Sequence, residues 1–269
     1  MLRPPGGAMR ITRVVVAAVV LVACASQAPS SQEKAELAPT GKLRVAVLTS
    51  NPIIGSKNSA GELTGTTVTL SRALAERAGV PVQFIDYSAI NRLLEDAAKN
   101  AWDVAVVAVD PERRTLVDFA PAHLAADGFL TVLVPPGSSA RSMQELDQPG
   151  KRIAAVRGAA PLMILQRTLK NASVAPAENE NAAFALMKDG AADGYAQNRF
   201  MLRARAATLP GSRLIDDSFA GLSLAFALPR NRPAASRLVA DFVQNAKASG
   251  LVQRAIDEAG LRSEVSIAK

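Results

Sequence analysis

The chain has 269 residues, with 31 Lys and Arg against 24 Asp and Glu, a formal net charge of +7, one histidine, one cysteine and only 4% aromatic residues. So few imidazoles and thiols leave no zinc-type ligand spacing, and a His-dependent nucleophilic triad has only His123 to draw on. Scattered basic residues with sparse aromatics supply neither the basic stripe nor the stacking platform that nucleic-acid binding needs, and a lone cysteine excludes an internal disulfide.

Arg3, Arg10 and Arg13 open the chain without an acidic residue among them, and Val14 to Ala23 follows as ten apolar residues ending at Cys24. Basic, apolar, then small residues at a cleavage point is the pattern of a secretory signal. Ten helical residues span about 15 Å, roughly half a bilayer core, so the segment is too short for a transmembrane anchor. Leu21-Val22-Ala23-Cys24 resembles the lipobox of bacterial lipoproteins, which implies acylation of Cys24 and a membrane lipid anchor. Ala25 rather than Asp after that cysteine points to the outer-membrane leaflet. Residues 25–40 show no apolar period and read as a flexible tether.

From Gly41 the pattern alternates strand and helix. Leu43 to Leu48 is an apolar strand, and Thr67 to Ala78 has helical spacing that Gly79 stops. Val82 to Ile85 is a strand, Ser88 to Lys99 a helix, and Asp103 to Val109 a nearly all-apolar strand buried on both faces. Asp110-Pro111-Glu112 then predicts a helix start, with Asp110 as the capping residue. Phe129 to Val134 is a strand broken by Pro135-Pro136-Gly137. A second block repeats the alternation: strand Lys151 to Val156, helix Pro161 to Leu169, helix Ala182 to Lys188, strand Gly194 to Gln197 and helix Arg199 to Ala207. Strand Leu222 to Leu228 and helices Pro233 to Ser249 and Leu251 to Ala259 complete it. Alternating units of this kind predict an α/β fold with parallel sheets, helices on their faces and, from the two blocks, two lobes. Trp102 reads as packing beside its strand, and His123 as a partly exposed loop residue.

Gly41 to Val47 (GKLRVAV), Asp110 to Arg113 with Val117-Asp118-Phe119, Gly150 to Ile153 and Leu186 to Gly194 resemble, in order, segments of the periplasmic amino-acid-type solute-binding proteins of family 3. That resemblance implies a two-lobed type II periplasmic-binding fold, with hinged lobes joined by two crossovers and closing on a small-molecule ligand. The crossovers are expected near Phe129–Val134 and near Phe219–Leu222. Lobe 1 is then discontinuous, residues 41–128 plus 219–269, and lobe 2 is residues 129–218.

By the same resemblance, Arg113 matches the arginine that pairs with the ligand's carboxylate, and a guanidinium fork suits two oxygens. The helix start at Ala159-Ala160-Pro161 offers unpaired N–H groups to an anion. Ala108 and Ala160 stand where the family usually has Ser or Thr, Asp110 where it has Thr, and Asn51 near a covering aromatic. Asn198 stands where the family has the acid that holds the ligand's ammonium group, beside Tyr195. An amide cannot offset a buried ammonium, so the expected ligand is a carboxylate or other small polar anion lacking one. Asp110 either supplies a negative charge to the ligand or, as the preferred reading, caps its helix and pairs with Arg113. Asn51, Asp110, Tyr195, Asn198, Ala108, Ala159 and Ala160 are thus the expected contacts beside Arg113.

The resemblance implies a non-enzymatic, monomeric receptor of an ABC importer, working in the periplasm with a membrane permease and ATPase and needing no cofactor or metal. The alternatives are a ligand-sensing partner of a membrane signalling protein and a cyclohexadienyl-dehydratase-like enzyme. The enzyme needs an acid in the second lobe, and the stretch from Asn198 to Met201 offers none.

Overall fold

The computed structural model describes Met1 and residues 28–269, so the expected signal segment and Cys24 lie outside the described residues. The first described element corrects the tether reading over residues 31–37. Ser31–Leu37 is a helix (α1), opened by a capping box in which Ser30 and Glu33 satisfy each other's backbone donors. Leu37 is fully buried, and the Glu36 carboxylate accepts the N–H groups of Ala234 and Ala235 at 2.6 and 3.1 Å. A two-turn helix held by one leucine and one carboxylate leaves no apolar period to read.

Leu43–Leu48 (β1) leads through a short hairpin, Ser56–Lys57 (β2) and Leu63–Thr64 (β3), to helix α2, Thr66–Ala78. Gly79 ends α2 in the left-handed conformation, as its position predicts. Val82–Tyr87 (β4), Ile90–Ala97 (α3) and Val104–Ala108 (β5) follow, and β1 lies between β4 and β5 in parallel pairing. All of β5 is buried, which its apolar run requires. The helix expected at Asp110 is only a single 3-10 turn, Arg113–Thr115, before strand β6, Val117–Phe119.

Leu124–Val134 (β7) is a long strand, beginning five residues before the predicted one. After a short helix, Met143–Leu146 (α4), the second block runs Arg152–Val156 (β8), Ala160–Thr168 (α5), Ser173–Ala177 (β9), Glu180–Lys188 (α6), Gly194–Asn198 (β10) and Arg199–Ala207 (α7). Here β8 pairs in parallel with both β9 and β10. Strand β9 carries Pro176 and escapes a reading by apolar pattern, but it sits at the sheet edge where a missing donor is tolerated. Arg213–Leu214 (β11), Ala220–Pro229 (β12), helices Pro233–Ala248 (α8) and Leu251–Glu258 (α9), and Ser266–Ile267 (β13) complete the chain.

The main sheet runs β4-β1-β5-β12-β7-β10-β8-β9, so two parallel blocks are bridged by the antiparallel strands β12 and β7. Near Leu124–Ala126, β7 pairs with β12 and β13; over Leu130–Val134 it pairs with β10 and β11. These two strands carry the chain between the lobes. In the second lobe the two-residue period sorts side chains cleanly. Val132, Ile153, Ala155 and Ala196 face one apolar cluster, while Leu133, Ala154, Val156 and Tyr195 face the other. The first lobe has its own core, with Trp102 buried and donating its indole N–H to the Leu93 carbonyl at 2.9 Å. No helix among the described residues is long and apolar enough to cross a membrane.

Candidate functional site

The two lobes meet over a cavity of about 50 Å³ at the ends of β1, β5, β8 and β10. Its wall takes Ser50, Asn51, Ala108 and Arg113 from the first lobe, and Ala159, Ala160, Pro161, Glu180, Gln197 and Asn198 from the second. An adjoining hollow of about 290 Å³ shares Ser50, Ile90 and Glu180 with it. Two roomier hollows, of about 670 and 910 Å³, are open grooves each lined by residues of a single lobe. The cavity of about 50 Å³ brings together charges from both lobes, Arg113 and Glu180, so it is the candidate site.

Arg113 is 3% exposed. Its Nη1 donates to the Ala108 carbonyl at 2.9 Å, and its Nη2 reaches across the lobes to the Gly158 carbonyl at 2.7 Å, while Nε is buried without a partner. Burial pushes its pKa down to about 10, against the pull of Asp110 and Glu112, so it remains a cation at neutral pH. Gly158 supplies its carbonyl from a φ of +70°, and a Cβ built there lies 3.4 Å from the Asn91 side chain on the opposite lobe. A left-handed backbone at a close approach requires glycine. Helix α5 starts against the same cavity with Ala159 at its cap, no capping side chain and Pro161 in its first turn. The positive end of that helix therefore faces the same space as Arg113.

Asp110 and Tyr195 do not line the cavity. Asp110 caps its turn by accepting the Glu112 N–H at 2.9 Å, but its ion-pair partner is Arg167 of α5, at 2.7 Å, not Arg113. The Arg113 side chain turns back to Ala108 and across to Gly158, which removes it from Asp110. Arg167 also reaches Glu112 at 3.2 Å, so a guanidinium of one lobe clamps two carboxylates of the other. Asn198 caps α7 through the Met201 N–H at 2.8 Å, and its amide nitrogen lies 3.5 Å from the Asn51 side-chain oxygen. His123 corrects its reading as a loop residue near solvent: it is 1% exposed and its ring stacks on Phe226 with centroids 5.0 Å apart. Among the described residues there is no cluster of three His, Cys, Asp or Glu able to hold a metal.

The residue that sequence reasoning missed is Glu180. It opens α6 behind the Asn179 cap, and β10 presents Tyr195 and Gln197 to it from the same strand face. The Tyr195 hydroxyl donates to one carboxylate oxygen, and Gln197 Nε2 donates to the other at 2.8 Å. Burial raises the carboxyl pKa, and these two hydrogen bonds partly oppose the rise. Nothing local in Asn179-Glu180-Asn181 distinguishes it from an ordinary polar helix start, because its partners lie 15 and 17 positions away.

Residues 43–259 match the family described as bacterial extracellular solute-binding proteins, family 3. No curated protein matches the chain. Solved structures of similar fold include the solute receptor for L-cysteine of Neisseria gonorrhoeae, with 20% identity, a TM-score of 0.73, and coverage of 88% of this chain and 99% of that one. An amino acid ABC transporter substrate-binding protein from Streptococcus pneumoniae, bound to L-arginine, has 21% identity, a TM-score of 0.69 and coverage of 83% and 96%. The ancestral amino acid-binding protein AncCDT-1, a precursor of cyclohexadienyl dehydratase, has 22% identity, a TM-score of 0.68 and coverage of 84% and 97%. At such identities the likeness is one of fold.

Proposed function

The chain belongs to the bacterial extracellular solute-binding proteins, family 3, and we propose that it is the extracytoplasmic receptor of an ABC-type importer for a small polar or anionic solute, amino-acid-like or a carboxylate. The observation that carries this reading is Arg113, a buried cation on the interlobe cavity with an unpaired Nε, facing the uncapped start of α5. A carboxylate there gains charge-assisted hydrogen bonds from a partly desolvated guanidinium and from a helix terminus. Anchors on both lobes make the anion itself the link that holds them shut. A cavity of about 50 Å³ has room for one or two waters at about 30 Å³ each. A solute of amino-acid size therefore enters only when the lobes part.

Asn51 and Asn198, with Ala108, Ala159 and Ala160, complete the proposed contacts; Asp110 and Tyr195 act behind them, through Arg167 and Glu180. The receptor works as a monomer in the periplasm, tethered by a lipid on Cys24, beside a membrane permease and ATPase, without catalysis of its own. The test is a thermal-shift screen of amino acids and organic acids on protein lacking residues 1–24. A cognate solute at 100 times its Kd adds about 2.7 kcal/mol of stability. A chain that melts identically with every member of both classes contradicts the proposal.

The second reading, a dehydratase-like enzyme, is favoured by one observation: Glu180 puts a half-buried acid with a raised pKa on the cavity wall. Conversion of a bound solute, followed by mass spectrometry, separates it from simple binding.

A further inference from the structure

The second lobe meets the first through two helices that lie on opposite faces of its sheet, α5 with Leu165 in one apolar cluster and α7 with Leu202 in the other. Both present an apolar side chain and, three residues on, an arginine. On α5, Ile164 joins the apolar cluster built mainly of first-lobe residues, and Arg167 pairs with Asp110. On α7, Phe200 joins the same cluster, and Arg203 pairs with Glu264 at 3.0 Å. Residues three apart share a helix face, so each arginine is aimed where its apolar neighbour docks. Glu264 is held ready for this contact by the end of the chain. Its own N–H and that of Val265 donate to the Leu261 carbonyl at 2.9 and 3.0 Å, and Leu261 and Val265 are buried in the first-lobe core. Beyond them β13 pairs with β7 at Ala125 and Leu124, and the Ala268 N–H donates to the His123 carbonyl at 3.2 Å. The segment is thus fastened to the first lobe on both sides of Glu264.

We propose that the C-terminal segment from Leu261 to Ala268 is a strap that draws the lobes together without any solute, its clasp being Glu264 on Arg203. The Glu264 side chain is only 11% exposed, and it accepts Arg203 together with the adjacent Ser263 hydroxyl at 3.3 Å. A carboxylate so covered has given up much of its water, and the guanidinium that replaces that water comes from the other lobe. Arg203 is 58% exposed, so the clasp is open to screening by salt. The strap therefore sets how much of the free receptor stands closed, and ionic strength tunes it. It rests on lobes that part and close, and on no particular solute, because Arg203 and Glu264 lie outside the lining of the interlobe cavity.

The experiment is single-molecule energy transfer on solute-free protein lacking residues 1–24, and hence lacking its native cysteine. Dyes are placed on cysteines introduced at Ser139 and Gln244, exposed positions on opposite lobes. The closed-to-open ratio is read for wild type, Arg203→Gln, Glu264→Gln and the double variant, each at about 20 mM and about 500 mM salt. At low salt each single variant is expected to lower the ratio about two- to fivefold. The double variant lowers it no further than either single one, because the pair is already broken. Salt lowers the wild-type ratio more than that of the double variant, and Arg203→Lys, which keeps the charge, retains most of the wild-type value. A merely structural role for either residue lowers the melting temperature without coupling it to the other. Single variants with the wild-type ratio overturn the inference. So does a double variant whose loss is the product of the two single losses. Either result leaves the solute-binding reading standing, since no solute is present.

Discussion

Removing the Arg167 guanidinium tests how the lobes are held together. Arg167 lies on α5 of the second lobe and pairs with Asp110 at 2.7 Å and Glu112 at 3.2 Å on the first. The two pairs differ in worth. Glu112 is 64% exposed, and such an ion pair contributes about 0–1 kcal/mol. Asp110 is 5% exposed, and a charged hydrogen bond of that kind contributes about 1.5–3 kcal/mol, reduced because Arg167 is itself 41% exposed. About 1–2 kcal/mol in favour of the closed form is a reasonable total, or a factor of about 5–30 in the closed-to-open ratio. In Arg167→Ala, Asp110 keeps only the Glu112 N–H when the lobes close, and regains water when they part. The ligand's apparent Kd should rise by a comparable factor if closure is required for binding. Cys24 is the sole cysteine, so protein lacking residues 1–24 accepts spin labels at Ser139 and Gln244, exposed positions on opposite lobes. Pulsed dipolar spectroscopy should then show the long-distance population growing in Arg167→Ala and shrinking again on addition of ligand. A distance distribution identical to wild type refutes the reasoning, since the clamp would then contribute nothing to closure.

Two further expectations follow from buried features. Burial in an apolar site, with Lys247 adding a smaller effect, pushes the His123 imidazole down to about 3, against about 6.5 in an unfolded chain. The unfolded state therefore binds the extra proton between those values, so the full stability is present above pH 6.5 and falls as the pH drops through the window. The slope reaches at most about 1.4 kcal/mol per pH unit, and His123→Phe, which retains a ring against Phe226, should flatten the melting curve series between pH 6.5 and 5; an unchanged slope contradicts it. Gly158→Ala forces a side chain onto a φ of +70°, at a cost of about 1–2 kcal/mol. It should lower the melting temperature measurably and weaken ligand binding, and a variant indistinguishable from wild type in both would show that the Arg113 acceptor tolerates movement.

Much of the scaffold was legible because its signals are local. The apolar runs of β1, β5 and β12, and the glycines ending α2 and α6, announce themselves within a few residues. What escaped depends on distant partners. Helix α1 is stabilised by a carboxylate that reaches the start of α8, and the first half of β7, with Gly128 in it, is a strand because β12 and β13 pair with it. His123 lies in a loop as expected, but the sequence does not show that Phe226 covers its ring and that it is buried. The site divides along the same line. Arg113 followed from its motif, and the structure does put it on the interlobe cavity. Its partners did not follow: Asp110 meets Arg167 across 57 positions, and Glu180 draws on the next strand. A charge pair expected between near neighbours was replaced by two contacts across the lobes.

The receptor account turns on whether the interior guanidinium between the lobes is what grips the solute. Titration calorimetry of Arg113→Ala against the strongest compound from the screen addresses this directly. Loss of at least 100-fold in affinity, with the melting temperature of the free protein within a few degrees of wild type, is the outcome the account requires. An affinity equal to wild type would place the solute elsewhere and contradict it.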